Sequence, residues 1–286
     1  MNRLIQTVKN TLLNTDIDCN RYILISNAFE KRSLYVYKEN ECMPSFIVKI
    51  PGTEEGEKKC RNEFKGITYI TEKKIKGIIS AAPLGIFEFD SRRCYIQSAL
   101  FSKPMLACLS PFRSKLKSTY FKSVAKHLVQ IYLNTKHYEI EGKSYCNCLM
   151  HGDFWIGNLG LLDNDLVLYD LEFFNESGLP LYDLIHFGLY YYMAQKNSRK
   201  IGRIVSNDQY SKADEKRDYK PQEEDIYNLL LKDNGLSTIM RRCILYYIEH
   251  SGISYSDACD LIKSYVEEDR GIEGLDPHWE GKILNQ

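Results

Sequence analysis

The chain has 286 residues, 44% hydrophobic and 27% charged. That composition is globular, and the length suffices to bury a core without disulfide or metal staples. Lys plus Arg and Asp plus Glu each total 38, so the formal charge is zero and no global field draws the chain to nucleic acid or an anionic membrane. No window approaches the roughly 18 uninterrupted apolar residues of a membrane-spanning helix. Nine scattered cysteines without a secretory signal predict reduced thiols and a cytoplasmic location.

In chain order, Leu4, Ile5, Val8, Leu12 and Leu13 share one helical face. Short β-branched or aromatic runs at Tyr22 to Ile25, Ser33 to Tyr37 and Phe46 to Ile50 predict strands separated by polar turns. Pro51 and Gly52 break that pattern. From about Glu57 to Lys74, three- and four-residue spacing of Cys60, Glu63, Phe64, Ile67 and Ile70 predicts a helix. Two further strands, Leu84 to Phe89 and Cys94 to Leu100, complete a small, mostly antiparallel α+β unit. Beyond Lys103 and Pro104 the texture turns helical, with a core helix predicted over Ser118 to Thr135. Residues 149–171 return to short apolar runs split by polar loops. From Leu181 onward the chain reads as helix, apart from a charged stretch at about Lys196 to Glu224 that predicts a mobile loop or an insertion.

Four features carry chemistry, and they come in a telling order: Lys49 ending an apolar strand, Glu63 in the following helix, His151-Gly152-Asp153 with Asn158 five residues beyond Asp153, and Asp170-Leu171-Glu172 after the next strand. Phosphoryl transfer needs such a set. One Asp accepts a hydrogen bond from an attacking hydroxyl, while an Asn and a second Asp offer hard oxygen ligands to magnesium. A lysine steadied by a helix carboxylate reaches the nucleotide phosphates.

MHGDFWIGNLGLL resembles the catalytic loop of the aminoglycoside phosphotransferase and choline kinase family, and LYDLEFFNESGLPLYDLIHF its metal-binding strand and next helix start. The resemblance is strong from Leu149 to Phe187, looser from Tyr22 to Leu106, and close to absent after about residue 195. It implies an α+β, two-lobed protein-kinase-like fold. Residues 1–103 would form a small antiparallel-sheet nucleotide-binding lobe with a hinge at about 97–103, and 104–286 a larger, mainly helical catalytic and substrate-binding lobe. The implied activity is ATP- and magnesium-dependent transfer of the γ-phosphoryl group to a hydroxyl of an aminoglycoside, amino alcohol or sugar, with GTP an open alternative to ATP. Asp153 would be the catalytic base or hydroxyl-orienting group, Asn158 and Asp170 the magnesium ligands, and Lys49 the phosphate contact with Glu63 as its partner. Backbone groups from Gln97 to Leu100, Ala99 among them, would read the base.

One departure stands out. The connection between the first two strands, SNAFEKRS, has no glycine, leaving Ser26 and Asn27 to offer a hydroxyl and an amide near the phosphates. That absence motivates the alternative of a nucleotide-binding pseudokinase acting as scaffold or regulator. A metal-dependent hydrolase built on His151, Asp153 and Asp170 ranks last, because none of the six histidines adds a ligand at suitable spacing. His151 reads as structural, and Asp183 as a buried acid that braces the loop or caps the next helix. Tyr190, Tyr191, Tyr192, Tyr246, Tyr247 and Trp279 could line a substrate platform but serve packing more often. Residues 222–286 hold 13 acids against six bases, either a solvated face or a field for a cationic small-molecule substrate.

Overall fold

A computed structural model of the chain describes residues 2–12, 16–27, 30–105, 118–191 and 236–268. The charged stretch at 196–224, Tyr192 and Trp279 lie outside these residues. The fold is α+β, and the chain divides into two compact units: Met1–Lys103 with Leu161–Asn175, and Pro104–Gly160 with Glu176–Gln286. Among the described residues no helix is long and apolar enough to cross a membrane.

The first unit runs α1 (Asn2–Thr11), β1 (Ile17–Asn27), β2 (Lys31–Lys38), β3 (Phe46–Pro51), α2 (Glu54–Lys73), β4 (Ile78–Ile79), β5 (Pro83–Phe89) and β6 (Arg92–Ser98). Five strands form an antiparallel sheet in the order β1-β2-β3-β6-β5. Register sorts its side chains onto two faces. Leu34, Val48 and Ile96 stand opposite one another, as do Val36 and Phe46, and this face packs with Leu4, Ile5 and Val8 of α1 into the buried core. The alternate positions, Ser33 with Lys49 and Tyr95, and Tyr35 with Ile47 and Gln97, form the other face. There α2 lies, its Phe64 ring 5.4 Å from that of Tyr95.

Several boundaries differ from the sequence reading, β6 among them at Arg92–Ser98, and at β1, β2 and α2 the physical reason is plain. β1 and β2 outrun their apolar cores because backbone pairing continues through polar residues, with Ser26 opposite Arg32 and Asn27 opposite Lys31. α2 starts at Glu54 because Thr53 caps it, its Oγ1 accepting the Gly56 N–H at 3.0 Å. Glu54, Glu55 and Glu57 occupy the first turn, where carboxylates complement the helix dipole.

In the second unit α3 (Ser118–Thr135) buries Phe121, Val124, Leu128, Ile131 and Tyr132. The helix Leu236–Ser251 packs against it, with Tyr132 and Tyr247 rings 6.1 Å apart. Residues 182–191 are helical and bring Phe187 and Tyr191 to within 5.3 and 4.9 Å of Phe121. Tyr191 and Tyr247 are therefore core residues, each buried, whereas Tyr190 and Tyr246 keep partial exposure.

Ser254 caps the last described helix, Tyr255–Glu268, accepting from the Asp257 N–H and donating back to Asp257 Oδ2 at 2.8 Å. The same oxygen accepts the Ser144 N–H at 2.7 Å and its hydroxyl at 2.6 Å, with Lys143 Nζ 3.5 Å from Oδ1. These donors, the Ser144 hydroxyl foremost, hold the Asp257 carboxyl down to about 2. A depressed carboxyl contributes stability that is whole above its unfolded value of about 3.9 and is lost as pH falls through the folded value. Asp257→Asn is expected to lower stability at neutral pH and to flatten the loss seen in the parent between about pH 4 and pH 2, as measured by denaturant titration across that range.

Candidate active site

Lys49 projects from β3 onto the α2 face, where its Nζ lies 3.0 Å from Glu63 Oε1. Glu63 is 3% exposed, and Gln97 Nε2 donates to the same oxygen at 3.4 Å. Burial alone would drive the lysine's pKa down. Glu63, and Asp170 after it, reverse the sign and hold the pKa above the ordinary lysine value, so the ammonium is a fixed charge. Glu63 Oε2 and Gln97 Oε1 are buried acceptors without a protein partner among the described residues.

Asp170 follows the strand Asp165–Leu168, which pairs in parallel with β4, and it sits in the left-handed region at φ 55°. A non-glycine residue held there needs surroundings that fix it. α2 supplies them. Asn62 Nδ2 donates to the carbonyls of Glu172 and Phe174 at 2.8 and 2.9 Å. Gly66 lets the helix lie flush on the same segment, since a Cβ there would stand 3.0 Å from Leu171 Cβ and from the Phe174 ring.

A third charge joins this group. Lys31 opens β2 two residues before Ser33 and so shares the face of Lys49. Its Nζ is 2.9 Å from Asp170 Oδ1 and 2.5 Å from Glu172 Oε2. Burial, with Asp170 beside it, raises the Glu172 carboxyl, and Lys31 opposes that rise. Ile23 and Ile25 of β1 stand on this face with 49% and 41% exposure, leaving apolar surface open. Ser26 and Asn27 end β1, and only their backbone is described. The Ala99 N–H donates to the Ser45 carbonyl at 2.9 Å, and the Gln97 side chain turns to Glu63.

In the second unit the 151–158 loop is organised from below by one carboxylate. Asp183, 5% exposed, accepts the N–H of His151 at 2.8 Å and of Gly152 at 3.1 Å. Burial pushes its pKa up, against the electrostatic influence of the His151 ring and of these donors. Gly152 has φ 84°, a conformation that glycine adopts freely. His151 is fully buried, and its Nδ1 accepts the Asp153 N–H at 3.3 Å, which places the ring proton on Nε2. Phe154 and Ile156 anchor the loop as fully buried side chains.

Above these anchors Asn158 Nδ2 donates to Asp153 Oδ2 at 2.7 Å and to the Asp153 carbonyl at 3.1 Å. Its Oδ1 stays an acceptor directed elsewhere. His186 Nε2 lies 3.6 Å from Asp153 Oδ1, with Nδ1 3.2 Å from the Tyr265 hydroxyl and the ring stacked on Tyr190 at 4.2 Å.

The structure thus gathers Lys49, Glu63, Gln97 and Asp170 in the first unit, and Asp153 with Asn158 in the second. Two neighbours escaped the sequence reading. For Lys31 the signal is the period-two pattern continued N-terminally from Ser33, and for His186 it is the one-turn spacing from Asp183. Among the described residues no group of three or more His, Cys, Asp and Glu side chains converges as a metal site.

No family model matches the sequence, and no curated protein does. Solved structures do. The GDP complex of an aminoglycoside 2'-phosphotransferase-IIIa variant is 10% identical, with 93% of this chain and 94% of that one covered at a TM-score of 0.48. The GDP and kanamycin complex of the enzyme titled APH(2")-IIIa is 10% identical, with coverage of 95% and 99% and a TM-score of 0.47. A thermostable aminoglycoside phosphotransferase APH(4)-Ia variant with AMP-PNP and hygromycin B is 11% identical, with coverage of 93% and 99% and a TM-score of 0.46. At such identities and scores, the roles of side chains rest on this chain's own geometry.

Asp183→Ala is expected to leave the His151 and Gly152 N–H groups without their acceptor and to cost about 3 kcal/mol, since each stranded buried donor costs roughly 1–3 kcal/mol. Asp183→Asn, which keeps one acceptor oxygen, is expected to cost less. Urea unfolding of the three proteins measures both.

Proposed function

We propose that the chain is a small-molecule kinase that transfers the γ-phosphoryl group of ATP, or of GTP, to a hydroxyl of an aminoglycoside, amino alcohol or sugar. The observation that supports this most is the buried Lys49–Glu63 pair at 3.0 Å, set on a sheet face that also exposes Ile23 and Ile25. A permanent ammonium beside open apolar surface suits a ligand with a planar base and a phosphate tail.

In this reading Lys49 binds phosphate oxygens and Glu63 fixes its position. Backbone groups from Gln97 to Leu100 read the base, except the Ser98 and Ala99 N–H groups, which already donate to the Ala82 and Ser45 carbonyls. Ser26 and Asn27 lie at the end of β1, beside the phosphates. Asp153 accepts the hydroxyl proton as the oxygen attacks the γ-phosphorus and the bond to the leaving nucleoside diphosphate breaks. Asn158 holds Asp153 through Nδ2, which leaves its Oδ1 as a donor atom for a hard cation. That oxygen and the Asp170 carboxylate fit magnesium in kind. Magnesium, when bound, neutralises charge on the phosphates.

A scaffold that binds nucleotide without turnover is the second reading, favoured by the glycine-free SNAFEKRS connection. Turnover on a panel of aminoglycosides, amino alcohols and sugars with magnesium and ATP or GTP decides between them. Asp153→Ala is expected to lower kcat by roughly 10²- to 10⁴-fold while nucleotide still binds. Asp170→Ala is expected to abolish the magnesium-dependent thermal stabilisation by nucleotide, which at a hundredfold excess over Kd is about 2.7 kcal/mol in the parent. Nucleotide-dependent stabilisation without product on any acceptor would establish the scaffold instead.

A further inference from the structure

The extra lysine belongs to the glycine-free connection. Lys31 is the sixth residue of SNAFEKRS, and its ammonium sits between two carboxylates of the segment that carries Asp170. Resting on the kinase reading, we propose that Lys31 is a resident counter-ion of the carboxylate pair Asp170 and Glu172, and that it exchanges this pair for nucleotide phosphate oxygens when nucleotide enters with magnesium.

Geometry excludes a casual surface contact. The Lys31 side chain is 13% exposed and that of Glu172 14%, and both ion-pair distances are within hydrogen-bond range. Burial would lower the lysine's pKa, but Asp170, Glu63 and Glu172 outweigh it, so the group is a permanent cation. Lys59, whose charge also bears on Glu172, makes its contact pair with Glu30 instead, at 2.7 Å.

Charge explains the use. Lys31 and Lys49 face Glu63, Asp170 and Glu172, leaving one net negative charge. Without Lys31 the group would carry two, and a bare divalent ion would be drawn to it. With Lys31 in place, such an ion must displace an ammonium that has little water to move into. Phosphate oxygens remove that obstacle by giving the ammonium a new partner. Lys31 would also supply, by charge, part of the phosphate binding that a glycine-rich loop supplies through its backbone N–H groups.

Two titrations on the full chain test this, with Lys31→Met and Lys31→Arg beside the parent. Calorimetry with Mn2+ alone reads the bare carboxylates, and calorimetry with ADP and magnesium reads the phosphate contact. Lys31→Met is expected to bind Mn2+ about tenfold tighter and magnesium–ADP about tenfold weaker, the scale of one charged hydrogen bond, while Lys31→Arg stays near the parent in both. The opposite signs separate this role from mere support of the fold, which would weaken both. If Lys31→Met does not fold, Lys31→Gln takes its place in the same comparison. Parent-like Mn2+ or magnesium–ADP affinity in the neutral variant overturns the role of Lys31 and leaves the kinase reading standing. A parent that binds no magnesium–nucleotide overturns both.

Discussion

Burying an ammonium is costly unless a carboxylate meets it at contact distance, and Lys49 has one such carboxylate at 3.0 Å. That requirement fixes where α2 must lie on the sheet. The fixed helix then positions more than Glu63. One residue back, Asn62 ties down two carbonyls of the 172–174 segment, and about a turn ahead Gly66 admits Leu171 and Phe174 to contact. The Asp170 and Glu172 carboxylates thus inherit their places from the same helix that answers Lys49. A single ion pair sets the geometry of five charged groups.

The second unit solves a similar problem differently. A loop cannot bury polar backbone without partners, and here a single buried carboxylate, Asp183, meets two successive N–H groups. Asp153 and Asn158 can then face each other on a backbone that is already committed. One helical turn beyond Asp183, His186 comes up beside Asp153, so one helix both braces the loop from beneath and flanks its acid.

Much of this was legible in the sequence, and the residues show why. α3 has a pronounced apolar stripe, and both its ends coincide with the periodic run from Ser118 to Thr135. α2 began earlier than its periodicity because its first turn is capped and acidic, features that carry no apolar signal. Lys31 was hidden for the same reason. Hydrophobicity defines strand cores but not the polar ends that pairing adds. Order and spacing marked Lys49, Glu63, Asp153, Asn158 and Asp170 as one set, and the side chains show Lys49 on Glu63 and Asn158 on Asp153. The ion pair of Lys31 with Asp170 joins positions 139 residues apart, which no local pattern encodes.

Residues 161–175 group with the first unit although the chain on either side belongs to the second. During synthesis the N-terminal 103 residues therefore emerge with their lysines before the carboxylates of Asp170 and Glu172 exist. Until that hairpin of chain arrives, Lys31 has no partner from this segment, and α2 exposes the notch at Gly66 and an unanswered Asn62 amide. The first unit is thus completed by its last piece rather than built outward from its first, and its folding is tied to the growth of the other unit. Cutting the polypeptide at residue 103 would yield an N-terminal fragment without Asp170 and Glu172, two of the five members of its charge cluster.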